Sequence, residues 1–175
     1  AGSAFGKLEA TSSSKISGVL VKNTISTSNI TTLDENGDPV KVSVGGLVGE
    51  TKFDTDATEL VIRTSAHYGK IDIGETATGR YYVGGIIGYA RGALVEGCQT
   101  GANIIVGNIT GSYNIGGLIG YIQSASDVTL TRCIMLSYFK LANQLVRSNN
   151  EFTGSGVDPI CMGTLSNDSV GNIYS

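Results

Sequence analysis

The sequence predicts an all-β protein folded as a right-handed parallel β-solenoid of four to five irregular coils, with one short capping helix. Two observations support this prediction. A glycine-rich hexapeptide recurs along the chain, and short β-branched runs bounded by turn residues follow its copies. Glycine contributes 25 of the 175 residues, which is about twice its average share. A glycine-rich β-sandwich is the alternative fold, because short strands and turns alternate there too.

The recurring hexapeptide has the pattern Φ-G-G-Φ-Φ-G, in which Φ is an aliphatic residue. Full copies span Val44–Gly49, Val83–Gly88 and Ile115–Gly120, and degraded copies span Gly2–Gly6 and Asp158–Gly163. Glycine at fixed places suits tight corners and close approach of backbones. We therefore expect the three full copies to stack side by side as one column, with these glycines as the repeat core: Gly45, Gly46, Gly49, Gly84, Gly85, Gly88, Gly116, Gly117 and Gly120.

The chain is predicted to be a single repeat array over residues 1–175. Each unit combines the glycine core with two further β-rich runs, such as Glu59–Thr64 and Gly69–Ile73 in the second unit, so we expect about three short strands per coil. Such a unit buries its apolar face only by stacking on its neighbours. The units are approximately 1–43, 44–82, 83–114, 115–157 and a degenerate 158–175.

A break in the repeat predicts the capping helix. Tyr138, Leu141, Ala142 and Leu145 follow helical spacing, and Ser137 is available as an N-cap. We expect a short amphipathic helix over residues 140–147 that covers an open end of the stack, because exposed ends of a solenoid invite strand pairing.

Composition excludes several classes of protein. The net charge is −3 and charged residues make up 15% of the chain, so the basic face of a nucleic-acid-binding protein is missing. No uninterrupted apolar stretch of about 18 residues occurs, and we expect no membrane insertion by this segment. The chain begins without Met and shows no signal peptide, which suggests a piece of a longer protein.

The hexapeptides carry a resemblance to a known repeat. Gly46–Gly49 and Gly117–Gly120 read G-L-hydrophobic-G, and Gly85–Gly88 is a variant of the same core. This pattern resembles the GLUG motif of bacterial surface proteins, which include large adhesins. The resemblance covers about residues 40–135. It implies an extracellular or cell-surface location and a binding or scaffold role, and it brings no catalytic residues.

Three cysteines and one histidine offer little metal chemistry. Cys98 and Cys133 fall at equivalent places in successive repeats, whereas Cys161 lies in the degenerate last core. No C-x-x-C pair is present and His67 has no histidine partner, so a zinc site is poorly supported. A disulfide between coils is the functional alternative. We favour buried free thiols that pack as small apolar groups, and we expect no metal and no cofactor.

Two acidic groups are candidates for chemistry. Asp34–Asp38 resembles the front of a calcium loop, but it lacks the later ligands and reads better as a turn at Asn36–Gly37. Asp54, Asp56 and Glu59 form the second group. Paired carboxylates of this kind carry the alternative function, a β-helix enzyme that hydrolyses or cleaves polysaccharides. Fold analogy is a weak warrant for that function.

Four tyrosines recur in phase with the glycine cores. Tyr81 and Tyr113 precede their glycine pairs by three residues, and Tyr89 and Tyr121 directly follow their hexapeptides. Stacked coils would bring each pair together. These ladders either form a contact strip for a ligand or hold the register between coils, and we favour the second interpretation.

The resemblance to the GLUG motif thus implies a non-enzymatic extracellular repeat module of a bacterial surface protein, with an adhesive or a stalk and scaffold role. The expected partners are host or cell-surface glycans or proteins, together with other domains of the parent chain. Low charge and the scarcity of catalytic residue types favour this function over the carbohydrate-active enzyme.

Overall fold

Parallel strands stacked in several sheets form the molecule, which is a β-solenoid. The structure is a computed structural model, and it describes residues 1–27, 33–38, 40–53, 60–123, 128–136, 138–141, 144–146, 157–158 and 162–165. The strand pairs are parallel except for one antiparallel pair near the end. This parallel pairing confirms the solenoid and contradicts the β-sandwich, whose sheets are antiparallel.

Four columns of strands run along the stack; each of the first four coils contributes to every column, and the described part of the last coil adds one strand to the first column. The first column contains β1 (Phe5–Ala10), β6 (Val48–Phe53), β10 (Ile87–Arg91), β14 (Ile119–Ile122) and β20 (Met162–Leu165). The second contains β2 (Ser14–Ser17), β7 (Leu60–Arg63), β11 (Ala93–Glu96) and β15 (Val128–Thr131). The third contains β3 (Leu20–Val21), β8 (Ala66–His67), β12 (Gln99–Thr100) and β16 (Ile134–Met135).

The fourth column returns the chain to the next glycine core. It contains β4 (Ile25–Thr27), β5 (Lys41–Gly45), β9 (Lys70–Gly84), β13 (Asn103–Gly116), β17 (Tyr138–Leu141), β18 (Gln144–Val146) and β19 (Val157–Asp158). The prediction of about three strands per coil is therefore incomplete. In the second and third coils one long strand runs from the third predicted segment to the next glycine pair, so these coils have four strands each.

The glycine hexapeptides stack side by side, as predicted. Gly84 lies opposite both Gly45 and Gly116 in the parallel register, and the amide of Gly85 donates to the carbonyl of Gly117 at 3.0 Å. The degraded first copy is also in register, because Gly2 pairs with Gly45. In the last copy Met162 lies opposite Ile119. Stacking of equivalent corners explains how unequal unit lengths remain in phase.

The predicted capping helix is wrong, and strands occupy its place. Strand β17 (Tyr138–Leu141) pairs in parallel with the start of β13. Strand β18 (Gln144–Val146) pairs antiparallel with β17. No helix occurs among the described residues. The open edge of β13 offers unpaired backbone groups, and pairing with that edge outweighs the local helical spacing of a short segment.

Two separate cores lie on either side of the glycine hexapeptides. Residues that follow the glycine pair, such as Leu47 and Ile86, pack in the first core with the second and third columns. Residues that precede the pair, such as Val44 and Val83, pack in the second core inside the fourth column. We call the stacked segments Gly45–Leu47, Gly84–Ile86 and Gly116–Leu118 the glycine corner. It forms a waist between the two cores.

A second stacked bend has a different backbone conformation. The residue that follows each strand of the second column has a positive φ: Gly18 (71°), Thr64 (49°), Gly97 (59°) and Arg132 (52°). We call these four residues the left-handed corner. Their amides continue the ladder between coils, as in the bond from Thr64 to the Glu96 carbonyl at 2.9 Å. The corner turns the chain from the second column into the third.

Candidate functional site

The structure buries one of the two predicted tyrosine pairs. Tyr81 is fully buried in the second core, where its side chain and that of Val83 lie on the same inner face of β9. Tyr113 lies opposite Tyr81 and packs, half-buried, against the same core. The Tyr81 ring therefore presents no surface outside the coil, and the position of this pair fits the interpretation that it holds the register between coils.

The other predicted pair forms an aromatic ladder on the outside of the stack. Tyr89 and Tyr121 are register partners, and their rings stack with centroids 5.1 Å apart and planes 22° apart. Sequence reasoning missed a third member, Tyr82, whose centroid is 4.9 Å from that of Tyr89 and 4.8 Å from that of Tyr121. We call Tyr82, Tyr89 and Tyr121 the outer tyrosine cluster.

Alternation along β9 is the signal that could have revealed Tyr82. Two adjacent tyrosines in a strand must face opposite sides of the sheet, so either Tyr81 or Tyr82 had to point outward. The glycine corner then brings the outward side chains before it and after it together. Tyr82 precedes Gly84 and Tyr89 follows Gly88, and their contact shows that the bend is concave on its outer side.

Charged side chains surround the outer tyrosine cluster. The Lys41 ammonium lies 3.9 Å from the centroid of the Tyr89 ring and donates to Glu50 at 2.8 Å. The Arg91 guanidinium lies 5.6 Å from the same centroid and 3.9 Å from Glu50. These distances are typical of cation–π contacts, so the cations cover the aromatic rings rather than standing apart from them.

The rings of the cluster are largely covered, whereas the cations Lys41 and Arg91, which we call the basic rim, are accessible. Tyr82 and Tyr89 are 8% and 7% exposed, whereas the side chains of Lys41 and Arg91 are 32% and 38% exposed. The Tyr89 hydroxyl donates to Gln123 Oε1 at 3.0 Å. Burial raises the pKa of the Tyr82 phenol, and the nearby Arg80 opposes this rise. A ligand would therefore meet the rim first, together with the partly exposed Tyr121.

The side chains of this surface offer several kinds of contact to a ligand. The rings offer apolar faces and hydroxyl groups, and the rim offers cations and an amide. Glu50 faces the cluster: its Oε2 accepts a hydrogen bond from Lys41 at 2.8 Å, and its Oε1 lies 3.9 Å from Arg91 Nε. A general acid and base pair needs two carboxylates in contrasting environments, and an ion-paired Glu50 does not supply that arrangement.

The acidic turn behaves as expected. Asp34 Oδ1 accepts hydrogen bonds from the amides of Asn36 and Asp38, both at 2.9 Å, and Gly37 has a φ of 82°. The Asp38 and Asn36 amides lower the pKa of the Asp34 carboxyl. This confirms the turn. Asp54, Asp56 and Glu59 lie outside the described residues.

The described part of the chain contains no group of three or more His, Cys, Asp or Glu side chains that could hold a metal ion. Over the same residues, no helix has the length and apolar character needed to cross a membrane.

His67 occupies a position that sequence reasoning did not foresee. It is fully buried at the waist, where its ring lies against the glycine corner. Its Nε2–H group faces the Asn23 carbonyl at 3.3 Å, and Nδ1 has no hydrogen-bond partner among the described residues. Thr100 takes the same place one coil further along. His67 therefore fills the waist.

Comparisons with protein-family models, with curated proteins and with solved structures found no match to this chain.

Proposed function

We propose that this chain is a non-enzymatic extracellular repeat module of a bacterial surface protein, and that it binds host or cell-surface glycans or proteins. One observation carries the proposal. The outer tyrosine cluster and its basic rim form a continuous outer surface that side chains from successive coils build together. The rings come from successive coils, so a ligand meets a broader contact surface than one coil offers.

The residue types at this surface support a contact role. Tyrosine and arginine are enriched where proteins bind partners, because both combine a broad surface with hydrogen-bonding groups. The mixture of rings, cations and amides suits sugar rings and polar protein surfaces alike. The GLUG resemblance supports the extracellular location and bacterial origin within this proposal.

The stack also supports a scaffold role. Parallel strands in register hold each coil at a fixed distance of about 4.8 Å from the next. Ion pairs link neighbouring coils on the outside, as where Lys52 meets Glu9 at 2.5 Å. A second Glu9 contact, to Lys7, helps lower the pKa of Glu9 to about 2. An array of this kind resists bending and presents its outer surface away from its attachment point.

Binding by the isolated protein tests the proposal. We expect Tyr121→Ala and Arg91→Gln to weaken at least tenfold the binding of whichever glycan or host protein the parent captures on an array. Tyr68→Ala is the matched control, because Tyr68 is also an outer tyrosine and is 42% exposed. Equal loss in all three variants, or loss in none, would show that the ligand binds elsewhere.

A second measurement separates adhesion from catalysis. We expect no release of reducing sugars from mucin, matrix or plant polysaccharides. We also expect Asp54→Asn and Asp56→Asn to retain the parent's binding, because the proposed contact surface is built from other side chains. Sugar release that disappears in either variant would replace the adhesive function with the polysaccharide-degrading one.

A further inference from the structure

Two cysteines of neighbouring coils lie side by side. Strands β12 and β16 pair in parallel with Gln99 opposite Ile134, and the Ile134 amide donates to the Cys98 carbonyl at 2.9 Å. Cys98 and Cys133 precede these partners by one residue each. Adjacent strands lie about 4.8 Å apart, which falls within the range of about 4.4–6.8 Å between Cα atoms that a disulfide requires.

The two sulfur atoms point into the same core at equivalent places. Cys98 Sγ contacts the Ile62 carbonyl and Cys133 Sγ contacts the Val95 carbonyl, both at 3.5 Å. Ile62 and Val95 are themselves register partners, so the thiols are related by one step along the stack. The two thiols are close enough to shift each other's pKa. The parallel register thus places both sulfur atoms on the same side of neighbouring coils.

The pair is asymmetric in accessibility. Cys98 is fully buried, whereas Cys133 is half-buried. The hydrogen bond from the Cys98 thiol lowers the pKa of Cys133 to about 7. The same bond, together with burial, raises the pKa of Cys98. Cys133 is thus the more accessible residue of the pair and the one whose thiol ionises near neutral pH.

We propose that Cys98 and Cys133 form a reversible disulfide between coils when a small-molecule disulfide oxidises the protein. The Cys133 thiolate attacks one sulfur of the oxidant, forms a mixed disulfide and expels one thiolate. Cys98 loses its proton and attacks Cys133 Sγ, which releases the second thiol of the oxidant. The two protein thiols lose two electrons and two protons, and the oxidant is reduced to two thiols.

This bond covalently links the third coil to the fourth. Because a disulfide restricts the unfolded chain, the oxidised protein is more resistant to unfolding. Both thiols are free in the structure, as the sequence predicts, and Cys98 is buried; the proposed bond forms only when an oxidant reaches the pair. It does not depend on the adhesive function.

Oxidised glutathione provides the test. The reduced protein is incubated with it under native conditions and then denatured without reductant. Titration should find one thiol in place of three, and non-reducing peptide mass analysis should find Cys98 joined to Cys133. Cys161→Ser is the control and should leave this bond intact. Three remaining thiols, or a bond that involves Cys161, would overturn the proposal.

Single variants test the order of attack. Cys98→Ser should stop at a glutathione adduct on Cys133, whereas Cys133→Ser should leave Cys98 unmodified in the native protein. Serine is tolerated at this position, because Ser65 stands there in the second coil. The oxidised parent should also unfold at a higher temperature than the reduced parent, and oxidation should not raise the unfolding temperature of Cys98→Ser. Equal modification of both variants would contradict the proposed roles.

Discussion

The glycine corner and the left-handed corner both contain glycine, but for different physical reasons. At the glycine corner a Cβ on Gly85 would lie 2.5 Å from Thr100 Oγ1 and closer still to the Gly117 carbonyl oxygen. Gly97 at the left-handed corner has open space around the position of a Cβ, and its φ is 59°. One corner therefore needs glycine for room, whereas the other prefers it for backbone conformation.

The left-handed corner shows how much weaker the second requirement is. Thr64 and Arg132 occupy it with φ values of 49° and 52°, so side chains are accepted there at a cost of about 1–2 kcal/mol. The clash at the glycine corner involves backbone of the next coil, which cannot move without disturbing the ladder. Glycine is therefore strictly required at the glycine corner, for lack of space, and is only preferred at the left-handed corner, for its backbone conformation.

The largest expected effect is that of Gly85→Ala. The added methyl group would press against backbone of the neighbouring coil, and overpacking of this kind costs about 3 kcal/mol or more. Gly97→Ala is the matched control, with an expected cost of about 1 kcal/mol because only φ is strained. Urea unfolding of both variants measures the difference. Equal losses would remove the distinction between the two corners.

Acid should weaken the glycine corner through His67. Burial lowers the pKa of its imidazole, an effect that the bond to the Asn23 carbonyl opposes. Below about pH 6.5 the unfolded chain binds a proton that the native state resists. Stability should then fall by up to about 1.4 kcal/mol per pH unit as the pH drops towards 5. Unfolding curves recorded between pH 8 and pH 5 measure this dependence.

The control for this pH effect comes from the next coil. Thr100 stands at the equivalent place, so His67→Thr should flatten the profile between pH 6.5 and 5, whatever its stability at pH 8. A variant that keeps the parent's slope would show that another group is responsible.

The smallest expected effect is a gain at the left-handed corner. Thr64→Gly relieves the strain of a positive φ but adds freedom to the unfolded chain, so we expect a net stabilisation of about 1 kcal/mol or less. A higher midpoint in urea with an unchanged slope would confirm it. Destabilisation would mean that the Thr64 side chain contributes more than its backbone costs.

The candidate surface could be predicted only in part. Tyr89 and Tyr121 were found because their positions repeat in phase, and repeated positions become neighbours in a parallel stack. Tyr82 and Tyr81 could not be assigned to the outside and the inside, since both are tyrosine and alternation alone does not say which faces the core. Lys41 escaped prediction because it belongs to a different strand from Tyr89, and only the concave bend brings the two side chains together.

Local patterns misled where the chain lies on an edge. The spacing of Tyr138, Leu141 and Leu145 suggests a helix, but Tyr138 and Leu141 lie in β17, which pairs with β13, and Leu145 lies in β18, which pairs with β17. A short segment has little helical stability of its own. An unpaired strand edge provides a full ladder of hydrogen bonds for such a segment. The segment's own sequence does not indicate that such an edge lies nearby.

The sequence by itself determined the repeat, the parallel stacking and the column of glycine hexapeptides, because equivalent residues in register must become neighbours once coils stack. Tertiary structure alone decided which faces are buried, that the interior divides into two cores, and that His67 fills the waist between them. Tertiary structure also decided that Cys98 and Cys133 lie side by side in neighbouring coils and that Cys133 is the more exposed of the two. Which side chains are buried, and which meet across the coil, depends on where the chain bends between strands. The periodicity of the sequence does not indicate the direction of those bends.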